Sequence, residues 1–143
     1  MMSDNHAQPM TAEALQRFLV GEFPQTTLQI EAVGEGKARI RQPIGPRHLR
    51  PGGTVSGPTL MTVADTAMYM ALLGEIGLQP LAVTVSLNIN FLRRPVAGHD
   101  IIGEARLLKR GRRLAVGEVL IYSGDDPDAV AHATVTYAIP YAI

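Results

Sequence analysis

Residues 59–74 read TLMTVADTAMYMALLG. Leu60, Met61, Val63, Ala64, Ala67, Met68, Met70, Ala71, Leu72 and Leu73 leave no continuous polar face at a period of 3.6 residues. A helix that is apolar nearly all round is covered by other structure on most sides. Ser56 is placed to cap it, and Pro58 suits a first turn, where a missing N–H costs nothing. Gly74 or Gly77 can end it. Asp65 interrupts the apolar run, which is too short to span a bilayer.

On the N-terminal side, residues 1–10 are polar with no apolar signal core and read as a disordered tail. Residues 11–143 read as a single domain. Thr11 can cap a short helix, Glu13 suits its first turn, and Leu15, Phe18 and Leu19 form one stripe. The period then changes to two. Leu28, Ile30 and Ala32 alternate with polar residues, as do Ala38 and Ile40, and Gly34-Glu35-Gly36 lies between. This predicts a β-hairpin, followed by a Gly/Pro/Arg-rich loop over 43–53.

On the C-terminal side four strands are predicted. In the first, Val83, Val85, Leu87, Ile89 and Phe91 alternate with Thr84, Ser86, Asn88 and Asn90. The others cover 100–109, 114–122 and 130–139, with turns at 110–112 and 125–128. Helix, two strands, buried helix and four strands make an α+β fold, a curled antiparallel six-stranded sheet around a long central helix. An open sheet with two helices on one face satisfies the helix less well.

The 13 basic and 13 acidic side chains cancel, so no global charge points to nucleic acid or a membrane surface. Without cysteine there are no disulfides, thiolate metal sites or cysteine nucleophile. His6, His48, His99 and His132 form no pair at metal-ligand spacing, so no metal or separate cofactor is expected. A cytoplasmic protein is the expectation.

Asp65 is the informative residue. Aspartate is a poor helix-interior residue, and an unpaired buried charge is costly, so a carboxylate here has a partner or a task. The loop 50–58, RPGGTVSGP, lets backbone N–H groups approach a ligand, and the Gly57 N–H is a candidate donor to an oxyanion. The eight residues from Gly57 to Asp65 span roughly 12 Å of helix. A base and an oxyanion donor must both reach one carbonyl. If both act, Asp65 of one subunit faces Gly57 of another, which predicts a homodimer with two equivalent sites. Arg93, Arg94, Arg110 and Arg112 belong to a basic stretch suited to phosphate groups. Ser56 lacks a local base and a nucleophile-elbow pattern.

The run Gly53-Thr54-Val55-Ser56-Gly57-Pro58, then Ala64-Asp65-Thr66-Ala67, resembles the PaaI-like branch of the hotdog-fold acyl-CoA thioesterases. That branch has a His-Gly-Gly loop followed by Ala-Asp-x-Ala in its central helix. Residues 84–95, TVSLNINFLRRP, look like the family's strand after the helix. The resemblance covers roughly residues 27–139 in element order.

It implies hydrolysis of an acyl-CoA thioester at a dimer interface, coenzyme A being part of the substrate. Asp65 falls on the catalytic aspartate, as base for water or as nucleophile. Gly57 falls on the glycine that polarises the carbonyl. Thr84 falls near a hydroxyl position that helps place the water, although strand alternation sets it opposite the apolar face. The basic strand ends would hold coenzyme A, and Met61, Met68 and Tyr69 would line an acyl tunnel. Ser56 and Pro58 replace the family histidine and second glycine, and Arg50 stands where relatives often carry an asparagine. These departures raise an alternative, an acyl-CoA sensor without turnover. A dimer of dimers is the expected larger assembly.

Overall fold

The computed structural model describes residues 10–140. In chain order the elements are α1 (Ala12–Glu22), β1 (Gln29–Gly34), β2 (Lys37–Gln42), α2 (Gly57–Ile76), β3 (Val83–Phe91), β4 (Ile101–Arg110), β5 (Leu114–Ser123) and β6 (Ala131–Ala138). A short 3-10 turn, Pro46–His48, precedes α2. The strands form one antiparallel sheet ordered β1-β2-β4-β5-β6-β3, so β1 and β3 are its edges. This is the hotdog arrangement, the sheet wrapped on a long helix.

α2 begins and ends as its sequence predicts. Ser56 caps it by accepting from the Thr59 N–H at 3.3 Å. Gly77, at φ 84°, stops it and donates its N–H to the Leu73 carbonyl. Gly74 lies inside the helix and packs on Val33. Glycines on the facing strands bring the sheet close. A Cβ on Gly103 would lie 2.7 Å from Val63 Cγ1. One on Gly117 would lie 2.5 Å from Met68 Sδ and 2.6 Å from the backbone carbonyl oxygen of Arg106. Gly117→Ala therefore forces the helix or β5 to shift. The expected cost is about 1–3 kcal/mol, read as a lowered urea midpoint with an unchanged slope.

The covering of α2 is uneven. Ala67 to Gly74 are buried on every side, with α1 lying over this half. Phe18 meets Tyr69 edge-on at 6.1 Å, and Met10 donates its N–H to the Gly74 carbonyl. Met10, read as the end of a disordered tail, is packed against the core; the rest of that tail, 1–9, lies outside the described residues. The first half of α2 has an open face on Pro58, Met61, Thr62 and the partly exposed Asp65. The helix is covered on most sides, as expected, and what stays open is this N-terminal face.

Three register shifts interrupt the sheet; one lies in β4 between Leu107 and Lys109, and the other two alter the predicted alternation. In β1 the register shifts between Ile30 and Ala32, so Ala32 is exposed and Val33 packs on the core in its place. In β3 it shifts between Thr84 and Ser86. Leu87 and Ile89 face the core as expected, but the extra residue reverses the parity before them. Val83 and Val85 are each 54% exposed, and Thr84 turns toward α2.

The outer face of the sheet carries ion pairs. Glu31 accepts from Arg39 at 2.8 Å and Arg41 at 2.6 Å; Arg39 also pairs with Glu104, and Arg41 with Asp100. The Arg41 hydrogen bond foremost, then Arg39, holds the Glu31 carboxyl below its ordinary 4.5 against the opposing effect of burial. His132 and then Arg106 do the same for Glu118. A depressed carboxyl stabilises the fold above its unfolded value, and that contribution is lost as pH falls through the folded one. The urea midpoint should decline below about pH 4.5, and Glu31→Gln should make that decline shallower.

Candidate active site

Asp65 sits in mid-α2 at the edge of the open face. Two hydroxyls converge on one of its oxygens: Thr84 Oγ1 donates to Oδ1 at 2.6 Å, and Tyr137 Oη donates to it at 2.9 Å. Tyr137 also reaches the Asp65 backbone carbonyl at 3.2 Å. Among the described residues Oδ2 has no partner. Thr84 and Tyr137 are cross-strand partners on β3 and β6, so one rung of the sheet presents both donors. Burial first, then the Asp65 charge, pushes the Tyr137 phenol far above its ordinary range. The tyrosine therefore stays a donor at any working pH.

Strand alternation alone put Thr84 on the wrong face, and the bulge corrects this. Tyr137 was missed. The alternation of Val135 and Tyr137 in the last strand marks a ring on the buried side, but nothing local shows it reaching a helix 72 residues away in the chain.

The second cluster lies at the start of α2. The loop is closed by a Leu49–Val55 bridge, and Gly52 and Gly53 take positive φ at 97° and 81°. Ser56 Oγ lies 2.8 Å from Thr59 Oγ1 and accepts from the Thr59 N–H, a capping role. The Gly57 N–H, first of the helix, has no acceptor among the described residues. A cleft of about 400 Å³ opens there, lined by Arg50, Gly57, Leu60, Phe91, Arg93 and Arg94 among others. The Phe91 ring packs over Gly57, 3.4 Å from where a Cβ would stand. The structure thus brings Arg50, Gly57, Arg93 and Arg94 together. Pro58 is at the exposed rim of the helix start, beside a separate hollow.

Other predicted residues fall elsewhere. Met68 is fully buried on Gly117, and Tyr69 is buried and stacked on Tyr137 with ring centres 5.5 Å apart. Neither lines an open tunnel in the chain; Met61 alone of the three is exposed. Arg93 is engaged by Asp128 at 3.0 Å and Asp126 at 3.5 Å. Arg110 and Arg112 flank the β4–β5 turn, near the Thr84 end of β3, because Leu114 pairs with Ala138 and Ala138 with Val83. Arg93 and Arg94 follow the other end. The eight steps of β3 between these ends span about 26 Å. A larger hollow, about 490 Å³, lies over Val33, Arg39 and Glu104 and holds none of the predicted site residues.

A hydroxyl-pinned carboxylate on the central helix of a hotdog sheet, with a glycine loop at the helix start, defines a hotdog hydrolase. Residues 52–130 match the thioesterase superfamily, and the chain belongs to that family. It is a thioester hydrolase. A candidate thioesterase from Silicibacter sp. TM1040 is 40% identical, with a TM-score of 0.87 over 96% of this chain and 97% of that one. A candidate esterase of Thermoplasma volcanium is 30% identical over 102 residues, 70% of this chain and 75% of that protein. The E. coli PaaI protein from the phenylacetic acid degradation operon shares the fold, with a TM-score of 0.76 at 22% identity over 92% of this chain and 91% of its own. Among the described residues no helix is long and apolar enough to cross a membrane.

Proposed function

We propose that the protein hydrolyses acyl-CoA thioesters at two sites across a homodimer interface, each built from Asp65 of one subunit and Gly57 of the other. One observation carries this reading. The pinned carboxylate and the Gly57 cleft belong to opposite ends of the same edge strand, out of reach of a common carbonyl. A two-fold axis beside β3 would bring each end against its opposite. The exposed β3 edge, with Val83, Val85, Phe91 and Leu92 uncovered, and the open face at Met61 support such a partner.

In this site Asp65 Oδ2 takes a proton from water while the water oxygen attacks the thioester carbon. The oxyanion accepts from the Gly57 N–H. Collapse expels the thiolate, the Asp65 proton passes to sulfur, and the products are a carboxylic acid and free coenzyme A. Direct attack by Asp65 uses the same oxygen and passes through a mixed anhydride that water opens. Arg50 and Arg94 at the cleft, with Arg110 and Arg112 from the partner's turn, supply charge for the coenzyme's phosphates. Arg93 contributes less, since the acidic 125–128 turn already holds it.

Thiol release from a panel of aliphatic and aromatic acyl-CoAs tests the reading. Turnover on one class supports it and names the acyl group. Saturable binding by calorimetry without thiol release would replace it with the sensor.

A further inference from the structure

Around Asp65, Thr84 has a role by resemblance; Tyr137 has none. We propose that Tyr137 is a positioning residue for Asp65, which with Thr84 pins Oδ1 and leaves Oδ2 as the single reactive oxygen. This rests on the reading that Asp65 is the reacting carboxylate.

A carboxylate rotates broadly about its last bond. Two hydroxyls on the same oxygen remove that freedom and leave the other oxygen without a donor among the described residues. Tyr137 is itself held. It is 4% exposed and stacked nearly parallel to Tyr69, whose hydroxyl donates to the Pro80 carbonyl at 3.2 Å. A buried tyrosine hydroxyl needs an acceptor. The Asp65 backbone carbonyl at 3.2 Å would satisfy that need alone, so the shorter contact to the carboxylate is additional.

Donors to a carboxylate favour its ionised form. The other titratable group facing this pair is Tyr69 on α2, with Glu22 of α1 acting on Tyr69 through space. β5 sets Ala115 and β3 sets Thr84 beside Tyr137, and neither titrates. Beyond Ala138, Arg113 accepts at its backbone carbonyl from Ile139. Loss of the Tyr137 hydroxyl therefore acts on Asp65 itself.

Tyr137→Phe is expected to lower kcat about tenfold with KM nearly unchanged. Thr84→Val should do the same through the other donor, and Thr84→Ser should restore it. The NMR resonance of the Asp65 carboxyl carbon, read without substrate at one fixed neutral pH, should move in Tyr137→Phe and in Thr84→Val as a donor is lost. If Tyr137→Phe fails to fold, 3-fluorotyrosine at position 137 donates more strongly and should move that resonance the opposite way. An Asp65 resonance unmoved by Tyr137→Phe or by the fluorinated residue overturns the positioning role. Full turnover in Asp65→Asn overturns the underlying reading instead, and the wild-type resonance still decides whether Tyr137 acts on the carboxylate.

Discussion

Asp65→Asn is expected to cut thioester turnover by about 10³-fold while leaving the fold intact. Asparagine keeps a carbonyl oxygen where Oδ1 stands, so the hydroxyls of Thr84 and Tyr137 keep their acceptor. The change falls on Oδ2, where an amide nitrogen can neither take a proton from water nor attack a carbonyl. The side chain is only partly exposed, and removing its charge relieves desolvation, so stability should change by no more than about 1 kcal/mol. Steady-state kinetics beside urea unfolding separates the two effects. Turnover within tenfold of the wild type would remove Asp65 from the chemistry.

Gly57→Pro should cost about 10²–10³-fold in kcat by deleting the proposed oxyanion donor. It removes the N–H itself, and urea unfolding beside the kinetics accounts for the strain of a Cβ set directly before Pro58. Gly57 is the first residue of α2, where proline is well tolerated, and Ser56 before it is already extended at φ −73° and ψ 152°. Among the described residues the Gly57 N–H has no acceptor to lose, and an added Cβ would stand 3.4 Å from the Phe91 ring. Co-expressing this variant with Asp65→Asn tests the shared interface. A mixed dimer has one doubly broken site and one intact site. Random pairing then restores about a quarter of wild-type activity. A mixture as inactive as its parts, in a protein shown to exchange subunits, would mean that each site lies within one chain.

The secondary structure was legible because each element obeys a local rule. The 59–74 run has no polar face, so it had to be covered; Ser56 and Gly77 end the helix by satisfying or stopping its backbone. β4, β5 and β6 match their predicted ranges within a residue. Asp65 stood out because a carboxylate in an apolar helix is expensive without a purpose. Gly57 stood out less, and only its distance along the helix from Asp65 tied the two to a dimer.

What the chain determined by itself, then, is period, capping and the one costly charge, all set by interactions within a few residues. The tertiary structure alone decided which face Thr84 shows, since a bulge is a misfit between two paired strands. It decided that Tyr137 would meet Asp65, because that contact joins residues 72 apart through the closing of β6 against β3. It also turned Met68 into the core and gave Arg93 to the acidic turn. Each of these outcomes depends on which strands become neighbours, and no local pattern of side chains carries that information.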